Sequence, residues 1–313
     1  MDILNKNLEV ESTGAEKRLD NKPNVKSILQ TLLVLGRISN LPTVWSNCIA
    51  GWLLAGGGNF QTLLNLCFGV SCLYIGAMFM NDACDARYDE IYRPERPIPS
   101  GQIQERTVWL IAITLIIIGA VSIFHISDST AFLASVLIGL ILIYNATHKI
   151  ISFSPILLGL CRLLLYLLGA SVAVETFNGL VLWSGLVLGA YIVGLSYIAK
   201  YESSQNYLFS RSAIIFLFCP IGLAIIVNDD GYRARGIIVS ATLVIWLIES
   251  LWHLNKEHSN ALIVNTVSKL LAGIVLVDLV AVAGTPTYIA HYLIAFPILF
   301  VLTLLLQKFV PAT

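Results

Sequence analysis

Ten apolar runs follow a short amphipathic stretch at 25–35 and fill most of the 313-residue chain. Each run has about the 17–25 residues that a helix needs to cross roughly 30 Å of hydrocarbon. None shows the period-two alternation of a membrane β-strand. The pattern therefore predicts an all-α, polytopic membrane bundle of nine to ten transmembrane helices. The ten predicted spans are residues 40–57, 61–80, 107–126, 131–147, 153–173, 180–200, 212–228, 236–253, 262–283 and 289–309.

Composition supports the same class of protein. Hydrophobic residues make up 57% of the chain, charged residues make up 12%, and the mean hydropathy is +0.80. Soluble domains carry about 25% charged residues, so the composition indicates an integral membrane protein. The formal net charge of zero argues against nucleic acid as a partner. The six cysteines show no paired spacing that would suggest a zinc site or a disulfide framework.

The charge distribution predicts how the chain sits in the membrane. Residues 1–26 are polar and lack the apolar core of a signal peptide, so we expect a flexible tail before a membrane domain at 27–313. Lysine and arginine concentrate in the tails and in the connections after spans 2, 4, 6 and 8, whereas the other connections hold only Arg233 and Arg235. The positive-inside rule then places the N-terminus in the cytoplasm. We expect the protein to lie in a bacterial inner membrane.

An acidic motif ends the second predicted span. Asp82, Asp85 and Asp89 directly follow apolar residues, and their i, i+3, i+7 spacing puts three carboxylates on one helical face. Hard oxygen ligands suit Mg²⁺ carried by a phosphorylated substrate. The alternative is an acidic helix end solvated by headgroup water. A metal site is favoured because acids beside hydrocarbon are costly without a use.

A basic segment follows the acidic motif. Residues 90–101 contain three prolines and a glycine, which predict a stiff loop rather than a helix. Arg93 and Arg96 lie in this segment, and a planar guanidinium suits phosphate oxygens. Alternatively, the two arginines only anchor the topology. Their position beside the carboxylates favours phosphate contact.

The motif from Asn81 to Gly101 resembles the UbiA superfamily of intramembrane prenyltransferases. It reads Asn-Asp-x-x-Asp-x-x-x-Asp and then Arg-Pro-x-Arg-Pro-Ile-Pro-Ser-Gly. The resemblance implies a helical bundle around a central cavity, with Mg²⁺ as cofactor. It also implies transfer of a prenyl group from a prenyl diphosphate to a lipophilic or aromatic acceptor within the lipid bilayer. The residues that it implies for metal–diphosphate binding are Asn81, Asp82, Asp85 and Asp89, with Tyr144, Lys149 and Arg162 in the cavity.

The sixth span ends differently from the family pattern. Family enzymes usually carry a second Asp-x-x-x-Asp there, whereas this chain has Tyr197, Lys200 and Glu202. Either Lys200 replaces one metal ion as a point charge on the diphosphate, or the second metal is lost and catalysis with it. This ending resembles the EboC-like branch of the superfamily. Because spans 2 and 6 end on the same side, we expect both ends to face one cavity.

Several other polar residues lie in or beside apolar runs. Arg37 and Asn47 fall close to one helical face and are expected to line the cavity, although Arg37 also suits an interfacial anchor. Glu249 lies in the eighth span. Lys269 and Asp278 are roughly opposite on the ninth span, so each needs a partner on another helix, and a structural role is favoured.

The sequence thus predicts a Mg²⁺-dependent membrane prenyltransferase with Asp82, Asp85 and Lys200 as catalytic residues. Two other functions stay open. A degenerate relative would bind a prenyl diphosphate or lipid without turnover, which the missing second acidic motif favours. A transporter would show broken helices in matching positions of two halves, and the glycines and prolines of this chain are not paired in that way. The sequence does not identify the acceptor.

Overall fold

The computed structural model describes residues 25–174, 178–202, 211–227, 233–252, 260–283 and 292–312. These ranges contain eleven α-helices and no β-strand, which confirms the all-α prediction. In chain order the helices are α1 (Val25–Leu35), α2 (Leu41–Leu54), α3 (Phe60–Tyr92), α4 (Glu105–Phe124), α5 (Asp128–Thr147), α6 (Ser154–Ser171), α7 (Gly179–Glu202), α8 (Arg211–Val227), α9 (Arg233–Leu251), α10 (Asn260–Val282) and α11 (Ala295–Gln307). Helices α2 to α11 correspond one to one to the ten predicted spans.

Six helices of the described ranges, α3 to α7 and α10, are long and apolar enough to cross a membrane. Helix α4 shows why they are membrane helices rather than core helices of a soluble protein. Only 22% of its most apolar window is buried, and large side chains such as Leu110 and Ile117 are exposed. Apolar surface of this kind is stable against lipid. The chain is therefore a multi-pass integral membrane protein.

Helix α3 is longer than the second predicted span. Asn59 caps its N-terminus, where the Asn59 side chain accepts hydrogen bonds from the backbone N–H groups of Gln61 and Thr62. The helix continues past residue 80 to Tyr92. The predicted loop boundary at residue 90 was wrong by three residues. The reason is that the first proline is Pro94, and a proline restricts only the residue that precedes it. All three aspartates of the motif therefore lie on one rigid helix.

The short helix α2 lies in the middle of the bundle, with most of its residues buried. Its backbone passes very close to that of α6. A methyl group added at Gly51 would overlap the backbone carbonyl of Tyr166, and one added at Gly169 would overlap that of Cys48. Only hydrogen fits at both crossing points. The crossing also brings polar residues of α2 next to α6 and α10, which matters for the site below.

Candidate active site

A cavity of about 700 Å³ opens between α2, α3, α5, α6, α7 and α10. Its lining changes character along α3, from Val70 and Leu73 at one end to Asp85 and Asp89 at the other. Helix α7 shows the same change, from Ile192 to Lys200 at its end. The cavity therefore has an apolar part and a charged mouth. Its charged lining residues are Arg37, Asp85, Asp89, Arg93, Arg96, Lys149, Arg162 and Lys200.

The carboxylates of the acidic motif point into the protein and form ion pairs with basic side chains. Asp82 and Asp89 are buried. Arg96 Nη1 lies 3.0 Å from Asp89 Oδ2 and 3.5 Å from Asp82 Oδ1, so one guanidinium joins two carboxylates on the same helical face. Arg37 Nη2 lies 3.4 Å from Asp82 Oδ1. The two arginines cover Asp82, which is not among the residues that line the cavity, and its role as a metal ligand stays a prediction.

Asp85 instead contacts His148 and Lys149, which directly follow the end of α5. Lys149 Nζ lies 2.6 Å from Asp85 Oδ1 and His148 Nε2 lies 3.2 Å from the same oxygen. Lys149 also lies 4.2 Å from the centre of the Tyr88 ring. All four side chains line the cavity, so this cluster forms one wall of the mouth.

Two further contacts position the end of α5. Asn81 Nδ2 donates a hydrogen bond to Asn145 Oδ1 at 3.1 Å, which ties α3 to α5 just inside the mouth. Tyr144 stacks on His148 with ring centres 5.1 Å apart and lines the cavity. Asn81 itself is not among the residues that line the cavity, and its contact with the diphosphate stays a prediction.

Lys200, near the end of α7, lies beside the connection between α5 and α6. Its Nζ donates to the backbone oxygen of Ser152 at 3.4 Å, and the residue lines the cavity that Asp85 also lines. The cavity face of α7 is formed by Ser196, Ala199 and Lys200, which follow helical spacing. Tyr197 lies off that face and packs against the hydrophobic core, and its substrate contact stays a prediction. The side chain of Glu202 lies outside the described residues.

Arg37 and Arg162 line the cavity, as predicted, but Asn47 does not. Arg37 links α1 to the turn before α2 with φ +44°, a left-handed conformation that is uncommon for a residue with a side chain. Asn47 is fully buried because α6 and α10 cover its face of α2. It contacts Arg162 rather than the cavity, since Arg162 Nη1 donates to Asn47 Oδ1 at 2.7 Å.

The partners of the intramembrane charges on α10 agree with the sequence prediction. Lys269 Nζ lies 2.9 Å from Glu249 Oε1 on α9. Asp278 accepts hydrogen bonds from Ser46, Asn47 and Tyr166. These side chains hold α2, α6, α9 and α10 together, which is the structural role expected of polar groups between membrane helices.

The donor set at the mouth fits a magnesium ion that arrives with its substrate. No group of three metal-binding side chains converges anywhere in the described ranges. Asp85 and Asp89, one helical turn apart, are the carboxylates at the cavity wall. Mg²⁺ is usually held by one or two carboxylates together with substrate phosphates and water rather than by a closed protein cage. These two aspartates are the residues that fit that arrangement.

Sequence reasoning missed three residues of the mouth: Tyr88, Asn145 and, as a direct partner of Asp85, His148. The available signal was weak. Tyr88 lies inside the acidic motif, and Asn145 and His148 flank positions that the family resemblance implied. Their contacts with α3 depend on how α5 approaches it, which no local pattern in the sequence specifies.

Comparison with known proteins assigns the family. The model of the UbiA prenyltransferase family matches residues 42–310. Digeranylgeranylglyceryl phosphate synthase of Methanococcus maripaludis is 31% identical over 118 residues, which are 36% of this chain and 41% of that protein. Across the curated relatives, the matched part spans 41–62% of the relative's length.

Solved structures share the fold. One comes from work on digeranylgeranylglyceryl phosphate synthase in membranes; it has a TM-score of 0.57 and 20% identity, over 82% of this chain and 98% of that one. A UbiA homologue from Archaeoglobus fulgidus bound to GPP and Mg²⁺ has a TM-score of 0.54 and 12% identity, over 80% and 99% of the two chains. Because the family model covers most of the sequence, the chain belongs to the UbiA prenyltransferase family.

Proposed function

We propose that this protein is a membrane prenyltransferase that binds a prenyl diphosphate with Mg²⁺ at the charged mouth of its cavity. It transfers the prenyl group to a lipophilic acceptor in the apolar part. The observation that carries this proposal is the division of one cavity into a cationic mouth and an apolar interior. A prenyl diphosphate has the same division between its two ends.

The mouth is suited to an anion with several charges. Among the described lining residues at the mouth, five carry a positive charge and two carry a negative charge, and a sixth cation, Arg162, lies deeper in the cavity. In the absence of substrate, Asp85 and Asp89 neutralise Lys149 and Arg96. An incoming diphosphate offers these cations stronger partners, which releases the two carboxylates toward Mg²⁺.

The chemistry assigned to the side chains is charge stabilisation. In prenyl transfer, the bond between the allylic carbon and the diphosphate oxygen breaks, and its electron pair leaves with the diphosphate. Arg93, Arg96, Lys149 and Lys200 are placed to hold that departing charge. Bound Mg²⁺ would neutralise further phosphate oxygens. The apolar wall excludes water from the allylic carbon until the acceptor reacts.

Lys200 takes over part of the role of the missing second acidic motif. A lysine binds phosphate as a point charge and needs no metal to do so. Lys200 lines the same cavity as Asp85, and it lies at the helix end where the family pattern has a second set of carboxylates. The proposal is therefore of an enzyme that combines one metal-binding helix with one lysine.

Similar proteins support the ligand class. The A. fulgidus homologue binds GPP and Mg²⁺, and relatives of the M. maripaludis type make digeranylgeranylglyceryl phosphate. The second fact supports a lipophilic acceptor but does not specify one for this chain.

The test is turnover by the purified full-length protein. GPP and longer prenyl diphosphates are supplied with Mg²⁺ and a lipid extract of candidate acceptors, and diphosphate release and prenylated product are measured. The proposal predicts both signals, and it predicts that EDTA abolishes them. Tight GPP binding with no product from any acceptor would instead favour a degenerate relative that lost catalysis with the second motif.

A further inference from the structure

Arg162 places a positive charge deep in the bundle. It lies eight residues into α6, which begins at Ser154, or about 12 Å from that end at 1.5 Å per residue. On the facing helix α3, Tyr74 lies close enough to Arg162 for the two side chains to interact electrostatically. Tyr74 precedes Asp82 by eight residues, which is again about 12 Å along the helix. The guanidinium is therefore about two helical turns from the charged mouth.

Neutral groups hold this guanidinium in place. Its Nη1 donates to Thr43 Oγ1 at 3.1 Å and to Asn47 Oδ1 at 2.7 Å. Asn47 Nδ2 in turn donates to Asp278 Oδ2 at 2.7 Å. The amide of Asn47 therefore has a single orientation, with its oxygen toward the cation and its nitrogen toward the carboxylate. Asp278 is fully buried and does not line the cavity.

The arrangement leaves part of Arg162 open to a ligand. Nε and Nη2 make no hydrogen bond within the described ranges, and the residue lines the cavity. Nearby, Asn40 also lines the cavity, and its buried Oδ1 accepts no hydrogen bond from the described residues at standard geometry. Arg162 is linked to the carboxylate of Asp278 only through the amide of Asn47. The amide therefore fixes the guanidinium in position, and no carboxylate covers it.

We propose that Arg162 binds an oxyanion of the acceptor, a carboxylate or a phosphate, and that Asp278 is a positioning residue that acts on Arg162 through Asn47. This inference rests on the proposed function. With the diphosphate at the mouth and the acid group of the acceptor about 12 Å deeper, the allylic carbon and the reacting atom of the acceptor meet between the two. Five other cationic residues line the cavity and can bind the diphosphate, which leaves Arg162 for the second substrate.

The test measures acceptor binding while the diphosphate site is filled. Full-length protein is saturated with Mg²⁺ and the unreactive thiolo analogue of GPP. It is then titrated with two matched pairs: a geranylgeranyl glyceryl phosphate against the free alcohol, and 4-hydroxybenzoate against its methyl ester. The expected result is that the wild type binds the acid more tightly than its uncharged partner in at least one pair. Preference in the first pair would indicate a phosphate ligand, and preference in the second a carboxylate ligand. Equal affinity within both pairs would overturn the proposal.

Arg162→Gln supplies the matched variant. It is expected to lower affinity for the preferred acid at least tenfold, to leave the uncharged partner unaffected, and to keep GPP affinity within twofold of the wild type. Retained GPP affinity also shows that the variant is folded. A loss of GPP affinity comparable to the loss of acid affinity would assign Arg162 to the diphosphate and overturn the inference. Failure of the wild type to bind GPP would contradict the proposed function instead.

A swapped pair tests the positioning role. Asp278→Asn presents an amide to Asn47 and is expected to raise the KM for the acid acceptor at least tenfold with little change in the KM for GPP. The double variant Asn47→Asp with Asp278→Asn keeps the total charge but places a carboxylate directly on Arg162. It is expected to bind the acid acceptor no better than Asp278→Asn does. Recovery of acid affinity in the double variant, or an unchanged KM in Asp278→Asn, would show that Asp278 does not act by positioning an uncovered Arg162.

Discussion

Asp82 and Asp85 lie less than one helical turn apart on α3, yet they have different surroundings. Asp82 is covered by Arg37 and Arg96 and does not line the cavity. Asp85 lines the cavity and binds Lys149 and His148. We therefore propose that the two residues have different roles: Asp85 would hold Mg²⁺, and Asp82 would position the two arginines.

Replacement of each aspartate should separate these roles. We expect Asp85→Asn to lower GPP affinity in Mg²⁺ by at least about tenfold, or ~1.4 kcal/mol, and to remove the effect of added Mg²⁺. We expect Asp82→Asn to weaken GPP binding with or without Mg²⁺, since it releases Arg37 and Arg96. Calorimetric titration measures both. Asp128→Asn, at an exposed position at the start of α5, is the control. Identical responses of the two variants would contradict the distinction.

Lys200 should contribute binding energy that does not depend on the metal. We expect Lys200→Ala to weaken GPP binding by about tenfold, or ~1.4 kcal/mol, because a charge-assisted contact with phosphate is lost. The reduction should be similar in Mg²⁺ and in EDTA. Lys308→Ala removes an exposed lysine that does not line the cavity and should have no effect. Unchanged affinity in Lys200→Ala would remove this residue from the site.

For individual residues, the sequence predicted the arrangement of side chains along one helix but not the contacts between side chains on different helices. The helical spacing of Asp82, Asp85 and Asp89 follows from helix geometry alone, and the cost of a charge in lipid was enough to place Arg162 at the cavity. The contact between Asn47 and Asp278 joins residues 231 positions apart. Only the crossing of α2 with α10 determines that Asn47 faces this carboxylate rather than the cavity.

At the element scale, the crossing of α2 and α6 sets the position of the polar residues behind Arg162. Glycines allow the two backbones to approach, as is common between membrane helices. We expect Gly51→Ala and Gly169→Ala each to destabilise the protein by about 1–3 kcal/mol, since the new methyl group would overlap a backbone carbonyl.

Thermal unfolding in detergent measures this effect. Gly139→Ala on α5 is the matched control, because a methyl group there meets no atom within 4 Å. It should leave the melting temperature unchanged or raise it slightly, since alanine favours a helix by about 0.5–1 kcal/mol over glycine. A similar change in melting temperature in all three variants would show that the close crossing does not govern the result.

The helices themselves were largely predictable and their ends were not. Long apolar runs with few breaks give helices α2 to α11 because lipid leaves the backbone no other partner. The end of α3 depends on where Pro94 stops the helix, and the face that α7 turns to the cavity depends on its neighbours. Tyr197 was therefore placed in the site by its position in the sequence although it packs in the core.

At the scale of the whole molecule, we propose that the mouth of the cavity faces the cytoplasm. The prediction follows from Arg87, Arg93, Arg96 and Arg106, which surround the connection between α3 and α4, and from the positive-inside rule. Single cysteines are introduced by Gln104→Cys, before α4, and by Ser129→Cys, at the start of α5, in a cysteine-depleted background. Both positions are exposed and lie at opposite ends of α4.

In intact cells, a membrane-impermeant maleimide should label the cysteine at position 129 and not the one at position 104. Permeabilisation should make both reactive, which controls for accessibility. Labelling of position 104 alone in intact cells would invert the orientation and place the mouth outside.

The central claim is that the charged mouth binds a prenyl diphosphate together with Mg²⁺, and calorimetric titration of the purified full-length protein with GPP tests it most directly. We predict saturable binding in Mg²⁺, at least about tenfold weaker binding in EDTA, and no difference between the two conditions for Asp85→Asn. No binding of GPP or of longer prenyl diphosphates by the folded wild type, or binding that neither EDTA nor Asp85→Asn changes, would contradict the claim.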